Sequence, residues 1–260
     1  MLVVVSPAKK LDWTDPGLTA ATRPRFLDEA TYLAGVAAGL SVDDLRRLMS
    51  ISEALARLNA DRFAAFRPET PAEARPAVFA FAGDTYQGLE ARTLDADARH
   101  WAAGHLRILS GLYGLLRPFD LIQPYRLEMG SRLANRAGRS LYDFWRPTLA
   151  PAIAQDAAEV GAGFVLNCAS VEYFSAVDEA ALGLPVITPV FLEEKAGARA
   201  VVSFYAKRAR GAMARFVMET RLSDPADLAG FEAGGYRYQP GDSTPARPVF
   251  LRRAAAAEAA

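Results

Sequence analysis

The sequence predicts an α+β chain: a single domain whose central mixed β-sheet, partly barrel-like, is flanked by helices. Three observations predict it. Two apolar runs of strand length, residues 2–6 and 164–170, read as strands buried on both faces. Strand-like and helix-like segments alternate early in the chain, the pattern of a sheet layered with helices. Later, the strand-like runs 186–194 and 199–205 flank a Gly-containing turn and read as a β-hairpin. No repeat or linker divides the chain. Residues 1–253 are therefore one expected domain, and the Ala-rich residues 254–260 a frayed tail.

The elements follow in order. Residues 2–6 run into Ser-Pro-Ala-Lys (6–9), and the Ala/Leu-rich stretch 27–40 predicts a helix. Ser41 with Asp44 three residues on is a helix start, with Asp in place of the usual Glu of a capping box. It opens a helix over Val42–Met49, and a second follows over 52–66. Pro68, Pro71 and Pro76 mark a loop. A strand over 77–81 leads into Gly-Asp-Thr-Tyr-Gln-Gly (83–88). A helix over 96–106 precedes a strand over 107–110. Gly111, Gly114 and Pro118 punctuate a compact loop. Residues 141–160 are helical with interruptions at Pro147 and Pro151. After the strand at 164–170 a helix opens at Val171 or Glu172, residues 207–221 form a strong helix, and 236–238 and 249–252 are late short strands.

The charge excludes one class of function. Among 260 residues, 30 Lys+Arg balance 30 Asp+Glu, so bulk basicity does not drive nucleic-acid binding. The sum hides segregation: residues 107–146 hold seven Arg against three acids, and 199–221 hold six basic residues against Glu219 alone. Only four of the basic residues are Lys, so Lys9, Lys195 and Lys207 stand out in an Arg-biased chain. No apolar run approaches the roughly 20 residues of a membrane span. Residues 1–5 lack a basic n-region and read as a strand, not a signal peptide. The single Cys168 forms no intramolecular disulfide, fits a reducing cytoplasm, and reads as a buried inert thiol within its apolar strand. His100 and His105 face about 140° apart on one helix, without CxxC or His pairs at i,i+4. No metal or cofactor is expected, although a carboxylate-only magnesium site has no legible spacing.

Several segments can carry chemistry. Leu45, Leu48, Ile51, Leu55 and Leu58 are spaced to pack two short helices across the turn Ser50-Ile51-Ser52. A helix–hairpin–helix spanning about 42–66 would present backbone N–H groups and a helix N-terminus to DNA phosphates. Serines replace the usual glycines here, so on local sequence alone the segment also reads as an ordinary helical hairpin. Ser6 and Lys9 sit at the carboxyl end of a buried strand, where sheet proteins place ligands; a simple strand exit reads equally well. Asn167 and Ser170 end another such strand, with Glu172 and Tyr173 beyond. Arg117, Tyr125, Arg126 and Glu128 crowd a Pro/Gly-bounded loop. Lys207 and Arg210 share a helix face with Gly211, which allows close approach, for instance by a phosphate; the alternative is a solvated basic face.

Taken together these motifs are distinctive. Ser-Pro-Ala-Lys (6–9), Gly-Asp-Thr-Tyr-Gln-Gly-Leu (83–89), Leu-Ser-Gly-Leu-Tyr-Gly-Leu-Leu-Arg-Pro (109–118), Gln-Pro-Tyr-Arg-Leu-Glu-Met-Gly (123–130), Leu-Tyr-Asp-Phe-Trp (141–145) and Ser-Phe-Tyr-Ala-Lys-Arg-Ala-Arg-Gly (203–211) occur in that order. The chain resembles the YaaA family of bacterial peroxide-stress proteins from end to end. The resemblance implies a cytoplasmic protein that limits oxidative damage in a setting linked to intracellular iron. It also implies an unusual α+β fold with a helix–hairpin–helix and DNA-binding ability. Two positions depart from the family pattern: Lys10 stands where Thr often follows, and Val171 where an acid often precedes Glu-Tyr. These departures turn attention to Lys9 and Glu172.

The expected function is DNA binding by a stress protein, with double-stranded DNA as partner, no membrane association and a monomeric state. Ser50 and Ser52 of the hairpin, with Ser6, Lys9, Arg117, Tyr125, Arg126, Asn167, Ser170, Lys207 and Arg210, are the candidate phosphate-binding residues. The alternative is an enzyme acting on a nucleobase, nucleotide or other phosphorylated ligand. Glu128, Glu172, Tyr173 and Asp84 are its candidate catalytic residues, because acids repel phosphate in a DNA groove but serve proton transfer. Iron sequestration by carboxylates finds no ligand spacing in the sequence.

Overall fold

A computed structural model of the chain describes residues 1–17, 21–69, 71, 73–195 and 197–253. The expected Ala-rich tail lies outside the described residues. Along the chain run β1 (Leu2–Val5), α1 (Leu27–Ala38), α2 (Val42–Met49), α3 (Glu53–Ala65), β2 (Arg75–Pro76), α4 (Ala77–Ala80), α5 (Asp84–Leu89) and α6 (Ala96–His105). Then come β3 (Leu106–Ser110), β4 (Gly114–Leu116), β5 (Leu121–Ile122), α7 (Leu141–Glu159), β6 (Val165–Cys168), α8 (Val171–Phe174) and α9 (Glu179–Leu182). Last are β7 (Val186–Ile187), β8 (Val190–Lys195), β9 (Ala198–Ala200), α10 (Ser203–Thr220), β10 (Arg237–Tyr238) and β11 (Val249–Arg253).

The central sheet is mixed, as expected. It has five strands in the order β4-β3-β1-β6-β7. Wholly buried β1 pairs in parallel with β3 on one side and β6 on the other, and β4 returns antiparallel to β3. A first strand with parallel neighbours on both sides opens a crevice beyond its carboxyl end. The strand order is open, running from β4 to β7. The late hairpin β8–β9 belongs to a separate sheet, ordered β10-β11-β8-β9, and does not curl the central one toward a barrel.

The segment 77–81 is not a strand. Residues Ala77–Ala80 form the single helical turn α4, with the Ala77 and Val78 amides donating to the Asp120 and Pro118 carbonyls. All four residues are buried, and a short run that is apolar on every side has no period to separate strand from helix. Asp84–Leu89, to which the sequence assigns no element, is helical, and the compact loop after β3 contains β4. Helix α7 continues through Pro147 and Pro151. Its buried Trp145, Leu149 and Ile153, spaced four apart, hold it against the core where each proline removes a backbone bond. The run 199–205 is strand only over Ala198–Ala200, and α10 begins at Ser203.

The α2–α3 pair forms as expected, with a reciprocal capping box between Ser41 and Asp44. Its seam differs from the leucine pattern. Leu45 and Met49 are buried from α2, but α3 buries Ala56, Asn59 and Phe63 and leaves Leu55 and Leu58 exposed. Helix α3 packs on α1 as well as α2, and that second contact rotates Leu55 and Leu58 outward.

Candidate functional site

The carboxyl ends of β1 and β6 are tied together. The Ser170 amide donates to Ser6 Oγ at 2.8 Å, the two hydroxyls lie 3.3 Å apart, and Tyr86 Oη donates to the Ser6 carbonyl at 3.1 Å. Above this junction α5 and α10 meet backbone to backbone. A Cβ on Gly88 would collide with the Arg208 carbonyl oxygen, and one on Gly211 with the Thr85 carbonyl oxygen. The close approach that Gly211 permits is thus taken by a helix of this chain and not by a phosphate. Its effect is to bring the α10 side chains over the strand ends.

These elements enclose a cavity of about 380 Å³. Of the sequence-predicted residues, Ser6, Lys9, Asp84, Ser170, Glu172, Tyr173, Lys207 and Arg210 line it. A smaller recess shares Pro7, Ala8, Lys9 and Tyr173 with the cavity and adds Tyr125, Arg126 and Glu128. Motifs separated by most of the sequence therefore converge on one cleft.

Charge within the cleft is unevenly matched. Glu128 is claimed twice: Oε2 lies 2.6 Å from Lys9 Nζ and Oε1 3.2 Å from Arg126 Nη2. Glu172 Oε1 accepts the Gly130 amide at 3.1 Å, and the Glu172 carbonyl accepts Tyr142 Oη at 2.8 Å. Among the described residues, Lys207 and Arg210 have no carboxylate partner, and Arg210 Nε is buried without any hydrogen-bond acceptor. Burial lowers the Arg210 guanidinium pKa, because the charged form has lost water without gaining an anion. Burial also lifts the Tyr173 phenol well above the usual tyrosine value, with Tyr125, Glu172 and Glu128 adding to it. The Cys168 thiol, on the cavity wall, is pushed up to about 12 by burial.

Four sequence-predicted residues lie outside this cleft. Arg117 is bound to Asp120 at 3.2 Å and to the Arg23 carbonyl at 3.0 Å, closing a loop. Asn167 is buried, accepting the Ala169 amide at 3.0 Å and donating to Thr188 Oγ1 at 3.2 Å, so it shapes the β6 exit from behind. Ser50 and Ser52 lie at the α2–α3 turn. Ser50 adopts φ 52°, the left-handed conformation a glycine would supply. Its amide and that of Ile51 donate to the Arg47 and Arg46 carbonyls, closing the end of α2 instead of facing outward. Ser52 caps α3 by accepting the Leu55 amide at 3.4 Å, leaving the Glu53 and Ala54 amides as that helix's open donors.

Sequence reasoning missed Lys10, Thr85 and Gln87, which also line the cavity. Lys10 departs from the family pattern, and the signal that finds it is its place directly after Lys9 in the segment that leaves β1. No group of three His, Cys, Asp or Glu side chains among the described residues is placed to hold a metal ion. No described helix is long and apolar enough to cross a membrane.

Comparison with known proteins bears on this arrangement. Residues 1–242 match the family described as peroxide stress protein YaaA. A UPF0246 protein of Cereibacter sphaeroides is 61% identical over 256 residues, covering 97% of this chain and 99% of its own. A UPF0246 protein of Jannaschia sp. is 58% identical over 260 residues, covering 100% of both chains. One from Ruegeria pomeroyi is 56% identical over 253 residues, covering 97% of this chain and 98% of its own.

Proposed function

The chain belongs to the YaaA family of peroxide stress proteins, and from that premise we propose that it is a cytoplasmic, monomeric protein that limits oxidative damage by binding DNA. The observation that carries this reading is the pair Lys207 and Arg210, unmatched in a cavity that desolvates Arg210. A half-buried cation without an anion is costly in the free protein, and a phosphate oxygen at Nε would offset that cost. Lys9 and Arg126, already sharing Glu128, extend the cationic lining toward the recess. The α2–α3 element acts as a helix–hairpin–helix, with the Ser52 hydroxyl and the open amides of Glu53 and Ala54 meeting the duplex backbone.

The test is a salt titration of duplex binding by fluorescence anisotropy. Log K is expected to fall linearly with log salt, and Lys207→Ala with Arg210→Ala to reduce the slope by about one per lost phosphate contact. Absence of binding at low salt, or a slope unmoved by both substitutions, refutes the reading.

A second reading has its own observation. Asp84 and Glu172 line the same cavity as Lys207 and Arg210, beside Tyr173, Ser6 and Ser170. Phosphate binding gains nothing from carboxylates, whereas proton transfer on a base or a phosphorylated ligand needs them. Incubation with damaged-base duplexes and mass detection of product, repeated with Asp84→Asn and Glu172→Gln, tests it. Product that both variants still form would remove these carboxylates from any chemistry.

A further inference from the structure

Along α10, Phe204, Lys207 and Arg210 recur three residues apart, so they climb one side of the helix on successive turns. Exposure grades along this stripe: Arg210 is partly buried in the cavity, Lys207 is exposed at its wall, and Phe204 stands in solvent, 48% exposed. A phenylalanine left this open forfeits the stabilisation that burial would bring. The residue beside it in the chain is anchored. Tyr205 packs against Phe204 edge-on at 5.3 Å, Arg252 covers the Tyr205 ring at 3.8 Å, and Glu193 fixes Arg252 at 2.7 Å. Residue 208 adds a further exposed Arg, again without a carboxylate partner among the described residues. In α10 the only acid, Glu219, pairs with Arg215. This surface thus combines an open aromatic face with positive charge that has no carboxylate partner among the described residues, and it leads into the cavity that Arg210 lines.

We propose that this face of α10 is a platform for unpaired DNA: a base stacks on Phe204 while Lys207 and Arg208 hold the flanking phosphates, and the adjoining nucleotide enters the cavity at Arg210. The proposal rests on the DNA-binding reading above and sharpens it by naming single-stranded or locally unpaired DNA as the preferred ligand. Aromatic stacking with basic side chains suits an unpaired strand, because every base has a π-face but a paired base keeps it covered. An intact duplex presents phosphate to Lys207 and Arg208 but no base to Phe204.

The test compares the full-length wild type with Phe204→Ala, Phe204→Trp and Lys207→Ala on a labelled oligothymidylate, an intact duplex and a duplex with a central mismatch bubble. Phe204→Ala is expected to weaken oligothymidylate and bubble binding about tenfold and leave intact-duplex affinity unchanged. Phe204→Trp is expected to retain affinity, with its added indole emission quenched on binding the oligonucleotide. Lys207→Ala is expected to weaken all three. Equal losses on all ligands with Phe204→Ala, or indole emission unmoved at saturating oligonucleotide, overturn the platform while leaving DNA binding intact. Wild-type binding of none of the three at low salt overturns the DNA-binding reading as well. Self-association that disappears in Phe204→Ala, with oligonucleotide affinity unaltered, assigns the face to a second copy of the chain and overturns the proposal.

Discussion

Gly211 of α10 packs directly on the carbonyl oxygen of Thr85 in α5, so close that no Cβ fits between them. The contact sets the height of α10 over the ends of β1 and β6, and hence the reach of Lys207 and Arg210 into the cavity. Gly211→Ala must push two helix backbones apart. It is expected to cost about 3 kcal/mol or more, read as a lower urea midpoint, and to weaken phosphate-dependent binding. Gly35 supplies the control. It sits in α1 facing open space, and Gly35→Ala is expected to stabilise the fold by about 0.5–1 kcal/mol.

Arg210→Met separates stability from function. Methionine keeps the unbranched, flexible stem of the side chain and removes a desolvated charge whose Nε has no acceptor. Thermal unfolding is expected to move upward by about 1 kcal/mol or less, while affinity for phosphate-bearing ligands falls at least tenfold, the scale of a lost charged hydrogen bond. A destabilised variant would show that Arg210 serves the fold.

The alkaline limb of the stability profile follows from buried acids. Burial raises the Tyr86, Tyr113, Tyr125 and Tyr173 phenols above their ordinary value near 10, and the Cys168 thiol to about 12. A group whose folded pKa is raised gives full stability below its unfolded pKa and loses it as pH rises toward the folded value. Stability is therefore expected to hold up to about pH 8.5 and decline above it, with part of the tyrosinate absorbance emerging only on unfolding. At neutral pH Cys168 is expected to resist iodoacetamide and peroxide until the chain is unfolded. Rapid labelling of the native protein would contradict this.

Ser50 occupies the left-handed region at φ 52°, at the end of α2. Ser50→Gly relieves that strain and is expected to raise stability by up to about 1 kcal/mol. Duplex affinity should be unchanged, because the Ser50 amide is already spent on the Arg47 carbonyl. Ser52→Ala, by contrast, removes the α3 cap and is expected to cost about 1 kcal/mol and to weaken duplex binding uniformly across sequences.

What could be read from the sequence was what local pattern controls. Ser41 with Asp44 announced its helix through capping chemistry, and the β-branched run before Ser6 announced its strand. Most of the cleft was legible because its residues end buried strands or stand in charged motifs. The misreadings have a shared cause, which is that tertiary contact decided them. Residues Ala77–Ala80 are apolar on all sides, α7 outlasts its prolines because the core grips Trp145 and Leu149, and Gly211 faces a helix and not a phosphate. Arg117 and Asn167 carry the right chemistry but spend it on Asp120, Ala169 and Thr188.

Glu128 offers the sharpest division between binding and catalysis. Its carboxylate neutralises Lys9 at 2.6 Å and Arg126 at 3.2 Å, so in a purely phosphate-binding cleft it competes with the ligand for the same cations. Glu128→Gln keeps the shape, frees both cations, and is expected to tighten duplex binding by roughly 1 kcal/mol, about fivefold, the scale of a partly exposed ion pair. Glu172→Gln retains an oxygen to accept the Gly130 amide, so the loop stays in place while the charge is lost. If the cleft only binds DNA, both variants bind at least as tightly as wild type and no product forms from any of the three proteins. If it performs acid–base chemistry, wild type yields product, and a variant that binds more tightly yet yields none has lost the proton carrier. Affinity and turnover then move in opposite directions on one substitution, which no difference in folding produces.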